Sequence, residues 1–328
     1  MNLIVGAGAV GTILATYLRA AGRPVRLLIR ERDRAAYEAA TEIRTHAING
    51  PAVVAPKPEI TTQLDLDGID HLFICVKFPA LDALLAQLPA TLPPNLTLIS
   101  TLNGLAGLRR IRERFPSGRI VPMSVMYNGQ LLGPLHGQIT TKALVIIGSD
   151  DPKLLGLFQG SGMAVKQAAG ESAAWGKLLI NLANAVCALT HTTFKDLFTR
   201  RELRDIYADV LDEAVATLER AKIRYELPMP MPYRLYRRIL RHGGPLPWWF
   251  AKLRNRVQPG SYPSMVADIE QGRKTEVDQL NGEIVAVGAG AGVPTPINTR
   301  IVELVHESER HHPAKYLMPE TLRRQLAR

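Results

Sequence analysis

Apolar and polar positions alternate in blocks over the first thirty residues of the chain. Residues 2–5 form a short apolar run that suits a strand, and residues 11–21 carry apolar side chains at helical spacing. Gly22 ends the helical pattern, and residues 25–29 form a second apolar, β-compatible run. The pattern therefore predicts a compact unit of strand, helix and strand.

Further apolar runs alternate with helix-like stretches up to about residue 170. We predict strands over residues 71–76, 96–100, 120–126 and 143–148, and a helix over residues 80–88. This alternation is typical of an α/β fold, with a doubly wound parallel sheet of the Rossmann type.

Beyond about residue 170 the chain is predicted to be helical, with no convincing strand. Long helix-periodic stretches cover residues 173–189, 201–222, 263–272, 275–290 and 299–310. We therefore expect two domains, a Rossmann domain at residues 1–170 and an all-helical C-terminal domain at residues 171–328.

Residues 227–262 interrupt the helical pattern with proline, tryptophan and arginine. The formal net charge is +10, and no acidic residue lies between Glu226 and Asp268, so much of the excess charge belongs to this insertion. Its basic residues are Arg234, Arg237, Arg238, Arg241, Lys252, Arg254 and Arg256.

Several roles fit the composition of this insertion. It could be a lid, a dimer arm, a site for a bulky acidic substrate or a merely solvated basic insertion. Binding to nucleic acid or to a membrane surface, with Trp248 and Trp249 as stacking groups, is a further alternative. Since the insertion has no recognised nucleic-acid motif, we expect no nucleic-acid partner.

Composition limits the class of protein. Charged residues make up 21% and apolar residues 46%, which is ordinary for a folded globular chain. Cys75 and Cys187 belong to no CxxC or Cys/His cluster, so we expect no disulfide, no metal site and a reducing cytoplasm. The first apolar stretch lacks the basic start of a signal peptide, and no run reaches the roughly 18 apolar residues of a membrane helix.

A glycine-rich turn joins the first strand to the first helix. Its residues are Gly6, Ala7, Gly8, Ala9, Val10 and Gly11. In a GxGxxG pattern placed between strand and helix, the first glycine permits the turn and the second lets a pyrophosphate approach. The third lets strand and helix pack closely. The helix N-terminus then offers N–H donors to the phosphates. The pattern predicts a dinucleotide site, and the alternative is a glycine turn without a ligand.

The end of the second predicted strand indicates which dinucleotide is bound. An acidic residue there holds the ribose hydroxyl of NAD, whereas an arginine neutralises the 2′-phosphate of NADP. Arg30 occupies this position and favours NADPH, although the neighbouring Glu31 leaves NAD open.

Several further motifs occur in order along the chain. They are Val76-Lys77, Leu102-Asn103-Gly104-Leu105, Trp175-Gly176-Lys177-Leu178, Ser264-Met265, Lys274-Thr275-Glu276-Val277-Asp278 and Val293-Pro294-Thr295-Pro296. Together with the glycine turn and Arg30, they resemble the ketopantoate reductase family from residue 1 to about residue 310. The resemblance implies an NADP-binding domain, a helical substrate and dimerisation domain, and reduction of a 2-keto acid by NADPH in a cleft between them.

The resemblance also implies roles for individual residues. Lys177 corresponds to the general acid of the family, and a lysine suits this role only if its ordinary pKa of about 10.4 is lowered. Asn103 corresponds to a residue between cofactor and substrate, and Asn181 and Ser264 to substrate contacts. Lys77 and Glu276 correspond to cofactor contacts, as do the residues of the glycine turn and Arg30.

Each of these residues also has a plainer, purely structural interpretation. Lys177 could be a surface lysine at the start of a helix, Asn103 part of a turn and Lys77 a lysine at the end of a strand. Ser264 could be a helix cap and Glu276 an acid in the first turn of a helix.

The chain departs from the family pattern at the substrate positions. The family has an asparagine where this chain has Ala185, and another where it has Lys195. Asn184, two helical turns after Lys177, either replaces the first of these or only packs between helices. Because a hydroxyl that loses its partner binds poorly, the preferred keto acid need not be ketopantoate.

Two functions fit the sequence. The first is an NADPH-dependent reductase of a 2-keto acid, and the alternative is an NADPH-binding sensor or regulatory protein without turnover. The retained Lys177 favours the reductase, because a sensor does not need a proton donor. The oligomeric state stays open, with a homodimer as one candidate.

Overall fold

The computed structural model describes residues 1–47, 50–229, 231–255, 260, 262–311 and 313–327, without the side chains of residues 254 and 255. Parts of the basic insertion, including Arg256 and the side chain of Arg254, therefore lie outside the described residues. The chain divides into two compact units, Met1–Glu171 and Ser172–Arg328.

The first unit contains twelve strands and five α-helices among its described residues. The strands are β1 (Asn2–Val5), β2 (Val25–Leu28), β3 (Glu42–Ala47), β4 (Val53–Pro56), β5 (Glu59–Thr61), β6 (His71–Ile74), β7 (Thr97–Ser100), β8 (Arg119–Val125), β9 (Gly129–Gly133), β10 (His136–Ile139), β11 (Leu144–Ile147) and β12 (Ala164–Gln167). The helices are α1 (Ala9–Ala20), α2 (Arg34–Glu38), α3 (Leu81–Gln87), α4 (Ala106–Arg114) and α5 (Pro152–Leu155), with 3₁₀ turns at Glu31–Asp33 and Phe78–Ala80.

An eight-stranded sheet forms the centre of this unit, in the order β12-β11-β8-β7-β6-β1-β2-β5. The six strands from β8 to β5 run parallel, and their order reverses at β1, as in a doubly wound fold. This confirms the predicted α/β class. At one end of this parallel-rich sheet, β11 pairs antiparallel with β8.

A second sheet, absent from the prediction, covers α1. It has four strands in the order β4-β3-β10-β9. The hydroxyl of Thr45 on β3 donates to that of Thr16 on α1 over 2.9 Å, and the glycines at 129 and 137 leave room for Ile13. Since both faces of α1 are covered, every residue from Gly11 to Leu18 is buried, not only the apolar stripe.

The described part of the second unit is helical, with no strand, as predicted. Its helices are α6 (Ser172–Asn181), α7 (Ala183–Thr190), α8 (Phe194–Thr199), α9 (Arg201–Arg220), α10 (Tyr233–His242), α11 (Leu246–Asn255), α12 (Ser264–Glu270), α13 (Asn281–Ala291), α14 (Pro296–Glu309) and α15 (Pro319–Leu326).

Two predicted helices of this unit differ from the structure. The single helix expected over residues 173–189 is two, because the chain breaks at Leu182 between α6 and α7. The helix expected from residue 275 begins at Asn281. The amide of Thr275 donates to the carboxylate of Glu309 over 2.8 Å, and the following residues form turns.

The insertion at residues 227–262, where the sequence interrupts the helical pattern, contains the two helices α10 and α11. Arg237 and Arg241 on α10 are paired with Asp212 on α9, at 2.6 Å and 2.8 Å. Part of its positive charge therefore attaches α10 to α9. Two large apolar side chains of α11, Trp249 and Leu253, are exposed.

One helical stretch among the described residues, Ser172–Thr190, is long and apolar enough to cross a membrane. It spans α6 and α7, and 67% of its apolar 18-residue core is buried inside the protein. Buried core helices meet the same criterion, so this stretch is weak support for a membrane span.

Candidate active site

The carboxyl ends of the central parallel strands lie side by side in the first unit. Val5 on β1 is in register with Leu28 on β2 and with Ile74 on β6, and Ile74 is in register with Ser100 on β7. The residues that directly follow these strands therefore share one edge of the sheet. At this edge lie the glycine turn, Arg30, Lys77 and Asn103, which is where open α/β sheets bind ligands.

The glycine turn has the geometry that its spacing predicts. Gly6 adopts φ +106°, and a Cβ there would lie 2.7 Å from the carbonyl oxygen of Cys75. A Cβ on Gly11 would overlap the carbonyl oxygen of Gly6, so only glycine lets α1 start so close to β1. Gly8 is exposed, and a Cβ there would meet no described atom within 4 Å. The three glycines thus form a turn whose middle position is open to a ligand.

Hydrogen bonds fix the carbonyl groups of this turn. The hydroxyl of Tyr37 donates to the carbonyl of Ala7 over 3.0 Å, and the hydroxyl of Tyr127 donates to that of Val10 over 3.4 Å. Ala9 is the first residue of α1, so the N–H groups of its first turn lie beside the open position at Gly8. This arrangement fits a dinucleotide pyrophosphate.

Arg30 lies just beyond β2 with its side chain 72% exposed. Its Nε donates to Asp33 over 3.1 Å. Nearby, Arg34 donates to the hydroxyl of Thr62 over 2.6 Å and to Glu31 over 3.0 Å. The end of β2 thus presents arginines whose charges are partly balanced by acids. Arg30 keeps the accessibility that a phosphate contact requires.

Lys77 and Asn103 follow neighbouring strands. Lys77 is exposed and precedes the 3₁₀ turn at Phe78–Ala80, whereas Asn103 is half-buried between β7 and α4. Gly104, with φ +72°, confirms a turn at this Asn-Gly sequence. The turn and a ligand contact are compatible, since the turn places the asparagine at the sheet edge.

In the second unit, one face of α6 and α7 is only half-buried, while most of their other side chains are buried. Lys177, Asn181 and Asn184 lie on this half-buried face, at spacings of four and three residues. Ala185 is fully buried. Asn184, seven residues after Lys177, therefore shares its face, whereas residue 185 does not.

Lys177 is chemically unusual. Burial lowers the pKa of its ammonium group to about 8, and the negative charge of nearby Glu276 opposes this by raising the pKa. Desolvation is the larger influence, since a buried amine disfavours its charged form. A lysine with such a pKa exchanges a proton readily near neutral pH.

Glu276 and Ser264 come from other segments of the second unit. Glu276 is half-buried in the turns before α13, not in the first turn of a helix as one alternative supposed. Ser264 is the exposed first residue of α12, and Pro263, not Ser264, is the N-cap. Lys195 is exposed on α8.

Sequence reasoning missed several residues that shape these regions. The hydroxyl of Tyr37 holds the glycine turn, and the carbonyl of Cys75 limits residue 6 to glycine. Gly176 is pressed against the backbone of Glu226. Tyr37 belongs to no motif, and the Cys75 and Glu226 contacts are made by backbone atoms, so no side-chain pattern in the sequence signals them.

Within the described part of the chain, no group of three or more His, Cys, Asp or Glu side chains is placed to hold a metal ion.

The fold and these two regions define a dinucleotide-binding enzyme of two parts, a Rossmann unit followed by a helical unit. Two family models match the chain, Ketopantoate reductase PanE/ApbA over residues 2–152 and Ketopantoate reductase PanE/ApbA C terminal over residues 171–309. The chain therefore belongs to the ketopantoate reductase family, whose members are oxidoreductases acting on CH–OH groups.

Individual relatives agree over nearly the whole length. The 2-dehydropantoate 2-reductase of Aquifex aeolicus is 25% identical over 321 residues, which cover 94% of this chain and 96% of the relative. The 2-dehydropantoate 2-reductase of Caulobacter vibrioides is 27% identical over 316 residues, with coverage of 92% and 97%.

Solved structures show the same fold. A PanE/ApbA family ketopantoate reductase from Ralstonia eutropha superimposes with a TM-score of 0.76 at 24% identity, covering 95% of this chain and 100% of that one. D-mandelate dehydrogenase in a ternary complex with NADH and anilino(oxo)acetate gives a TM-score of 0.77 at 21% identity, with coverage of 96% and 100%.

The glycine turn makes a stability prediction. We expect Gly11→Ala to lower the free energy of unfolding by about 2 to 3 kcal/mol, because its Cβ must displace the backbone of Gly6. Gly8→Ala is the matched control and should cost no more than about 1 kcal/mol, since its Cβ enters open space. Urea denaturation followed by circular dichroism measures both, and equal losses for the two variants would contradict the packing argument.

Proposed function

We propose that the protein is an NADPH-dependent reductase that converts the ketone of a 2-keto acid to a 2-hydroxy acid. The observation that carries the proposal is Lys177, whose lowered pKa and half-buried face with Asn181 and Asn184 suit proton donation to a polar substrate. The glycine turn and the sheet edge support a dinucleotide in the first unit. In this proposal the first unit holds NADPH, and the second unit provides the substrate contacts and any dimer contact.

The proposed chemistry follows from the residues present. NADPH, when bound, supplies the hydride that reduces the carbonyl carbon. The ketone oxygen then takes up negative charge, and the ammonium of Lys177 stabilises this charge and transfers its proton to the oxygen. Asn181 and Asn184, which share the half-buried face of Lys177, are proposed to donate side-chain hydrogen bonds to the carboxylate or to other polar groups of the keto acid.

The cofactor contacts are assigned to the first unit and to Glu276. The turn from Gly6 to Gly11 is proposed to hold the pyrophosphate and Arg30 the 2′-phosphate, with Lys77 and Asn103 beside the reacting end. Ser264 is proposed as a further substrate contact. Cys75 and Cys187 are free thiols, which agrees with the cytoplasmic location that we propose.

The identity of the keto acid is left to experiment, because the polar residues of this face differ from the family pattern. Ala185 is buried and offers no hydrogen bond, so Asn184 is proposed to take over the role of the missing asparagine. Relatives are named 2-dehydropantoate 2-reductases, and one structural neighbour was solved with anilino(oxo)acetate. Both branched hydroxylated keto acids and aryl keto acids therefore belong in the assay.

The direct test is a substrate panel. Purified protein is mixed with NADPH and with ketopantoate, short aliphatic 2-keto acids and aryl 2-keto acids, and loss of absorbance at the nicotinamide band is followed. We expect substrate-dependent oxidation with at least one of them. Tight NADPH binding without oxidation in any assay would instead favour the sensor function.

The proton donor makes a second prediction. We expect Lys177→Ala to lower kcat by about 10²- to 10⁴-fold, because the alkoxide loses its proton source. In the wild type, the reductive kcat/KM should be constant at low pH and fall as the pH rises through about 8, since only the ammonium form donates.

Lys166→Ala is the control for this prediction, because Lys166 is an exposed lysine on β12. Its rate and pH profile should match the wild type. Full turnover in Lys177→Ala would exclude Lys177 as the acid.

The cofactor preference rests on Arg30. We expect Arg30→Ala to reduce kcat/KM for NADPH by about 10- to 100-fold, the loss of one charge-assisted phosphate contact. The same substitution should change the value for NADH by less than about twofold, because NADH has no 2′-phosphate.

Arg32→Ala is the matched control, since Arg32 is a neighbouring exposed arginine, and it should keep the wild-type ratio of NADPH to NADH. Steady-state kinetics with both cofactors measure the ratio. An unchanged ratio in Arg30→Ala would show that Arg30 does not contact the phosphate.

A further inference from the structure

The chain segment that follows α9 is bound to the first turn of α6. The amide of Glu226 donates to the carbonyl oxygen of Ser172 over 2.9 Å. In return, the hydroxyl of Ser172 donates to the carboxylate of Glu226 over 2.7 Å. Two hydrogen bonds therefore join residues that are 54 positions apart in the sequence.

A close backbone contact lies one helical turn further along. A Cβ on Gly176 would overlap the carbonyl group of Glu226, so the space of a side chain at residue 176 is filled by main-chain atoms. Unlike an overlap with the end of a flexible side chain, this one is relieved only if α6 or the segment at Glu226 moves. The contact thus sets the separation between α6 and this segment.

These contacts lie next to the proposed proton donor. Gly176 directly precedes Lys177, and Ser172 is five positions before it. On the other side of the lysine, the hydroxyl of Tyr207 on α9 donates to the carbonyl of Ile180 over 3.3 Å. Because α6 is held on both sides of residue 177, the position of the Lys177 backbone is fixed.

We infer that Ser172, Gly176 and Glu226 are positioning residues for Lys177: the Glu226 segment holds α6 at the depth at which the lysine meets its substrate. This rests on the proposed reductase function. A proton donor must lie within hydrogen-bond reach of the developing oxyanion, and a shift of about 1 Å costs on the order of 10²-fold in rate. The glycine is therefore required for more than the packing of two segments.

Displacement of α6 should also change the burial of the lysine. Moving α6 away from Glu226 would admit water around the amine, and desolvation is the larger influence on the Lys177 pKa. Displacement should thus alter both the place of the donor and its pKa, whereas simple loss of stability would alter neither in the molecules that remain folded.

The experiment compares Gly176→Ala with Gly290→Ala. Gly290 is a helical glycine of α13 whose added Cβ would meet no described atom within 4 Å, so it is a matched control. We expect Gly176→Ala to lower kcat by about 100-fold with little change in the KM for the keto acid. Gly290→Ala should match the wild type in both.

A substrate-free measurement accompanies the kinetics. The lysines are reductively methylated with ¹³C-formaldehyde, and the Lys177 resonance is assigned by its absence in Lys177→Ala. Its pKa should lie near 8 in the wild type and in Gly290→Ala, and should rise toward the ordinary lysine value in Gly176→Ala. A folded Gly176→Ala protein with the wild-type kcat and Lys177 pKa would overturn the inference.

If Gly176→Ala does not fold, Ser172→Ala and Glu226→Gln carry the test. Ser172→Ala removes one hydrogen bond and should lower kcat by about 3- to 10-fold and raise the Lys177 pKa. Glu226→Gln keeps an oxygen acceptor and should stay near the wild type. An unchanged pKa and kcat in Ser172→Ala would overturn the inference.

The outcome is separable from the proposed function. Full turnover in Lys177→Ala would refute the acid role and with it the inference that the segment positions a donor. Loss of turnover in Lys177→Ala, together with unaltered Gly176→Ala and Ser172→Ala proteins, would leave the acid role intact and reject the positioning role alone.

Discussion

Both units of this protein depend on a carbonyl oxygen that occupies the space of a missing Cβ. In the first unit the carbonyl of Gly6 lies against Gly11, and in the second the carbonyl of Glu226 lies against Gly176. Each contact brings two backbone segments closer than any side chain would permit. Each also lies beside a group proposed to carry function, the N-terminus of α1 in one case and Lys177 in the other. Close backbone packing thus defines both regions.

The setting of α1 shows what this packing requires elsewhere. The helix begins at the sheet edge because Gly11 permits it, and its dipole and free N–H groups then point toward the open position at Gly8. The four-stranded sheet covers the face of α1 that would otherwise meet solvent, and the Thr45 to Thr16 hydrogen bond connects them. A helix buried on both faces has little freedom to shift, so the turn before it is held in place.

Much of the first unit was predictable because its signals are local. The glycine spacing, the apolar run before it and the arginine after β2 lie within thirty residues and indicate strand, turn and helix directly. The second sheet was not predictable, since its strands are short, partly exposed and paired across long sequence separations such as β3 with β10.

The second unit was harder to predict in detail. The helical stretch is interrupted at Leu182, although no proline or glycine there signals an interruption. The contact between Gly176 and Glu226 depends on main-chain atoms 50 residues apart, which no side-chain pattern reveals.

The electrostatics of Lys177 reflect a balance between two influences. Burial alone would lower the pKa further, and a donor that is deprotonated at neutral pH would be useless to the proposed reduction. The charge of Glu276 opposes this effect. With a pKa of about 8, roughly nine-tenths of the lysine is charged at pH 7, yet the proton is released far more easily than from a lysine in water. Burial therefore makes the proton available, and Glu276 keeps it present. In this proposed mechanism the glutamate acts on the donor as well as on the cofactor, which explains why an acid is useful in the turns before α13.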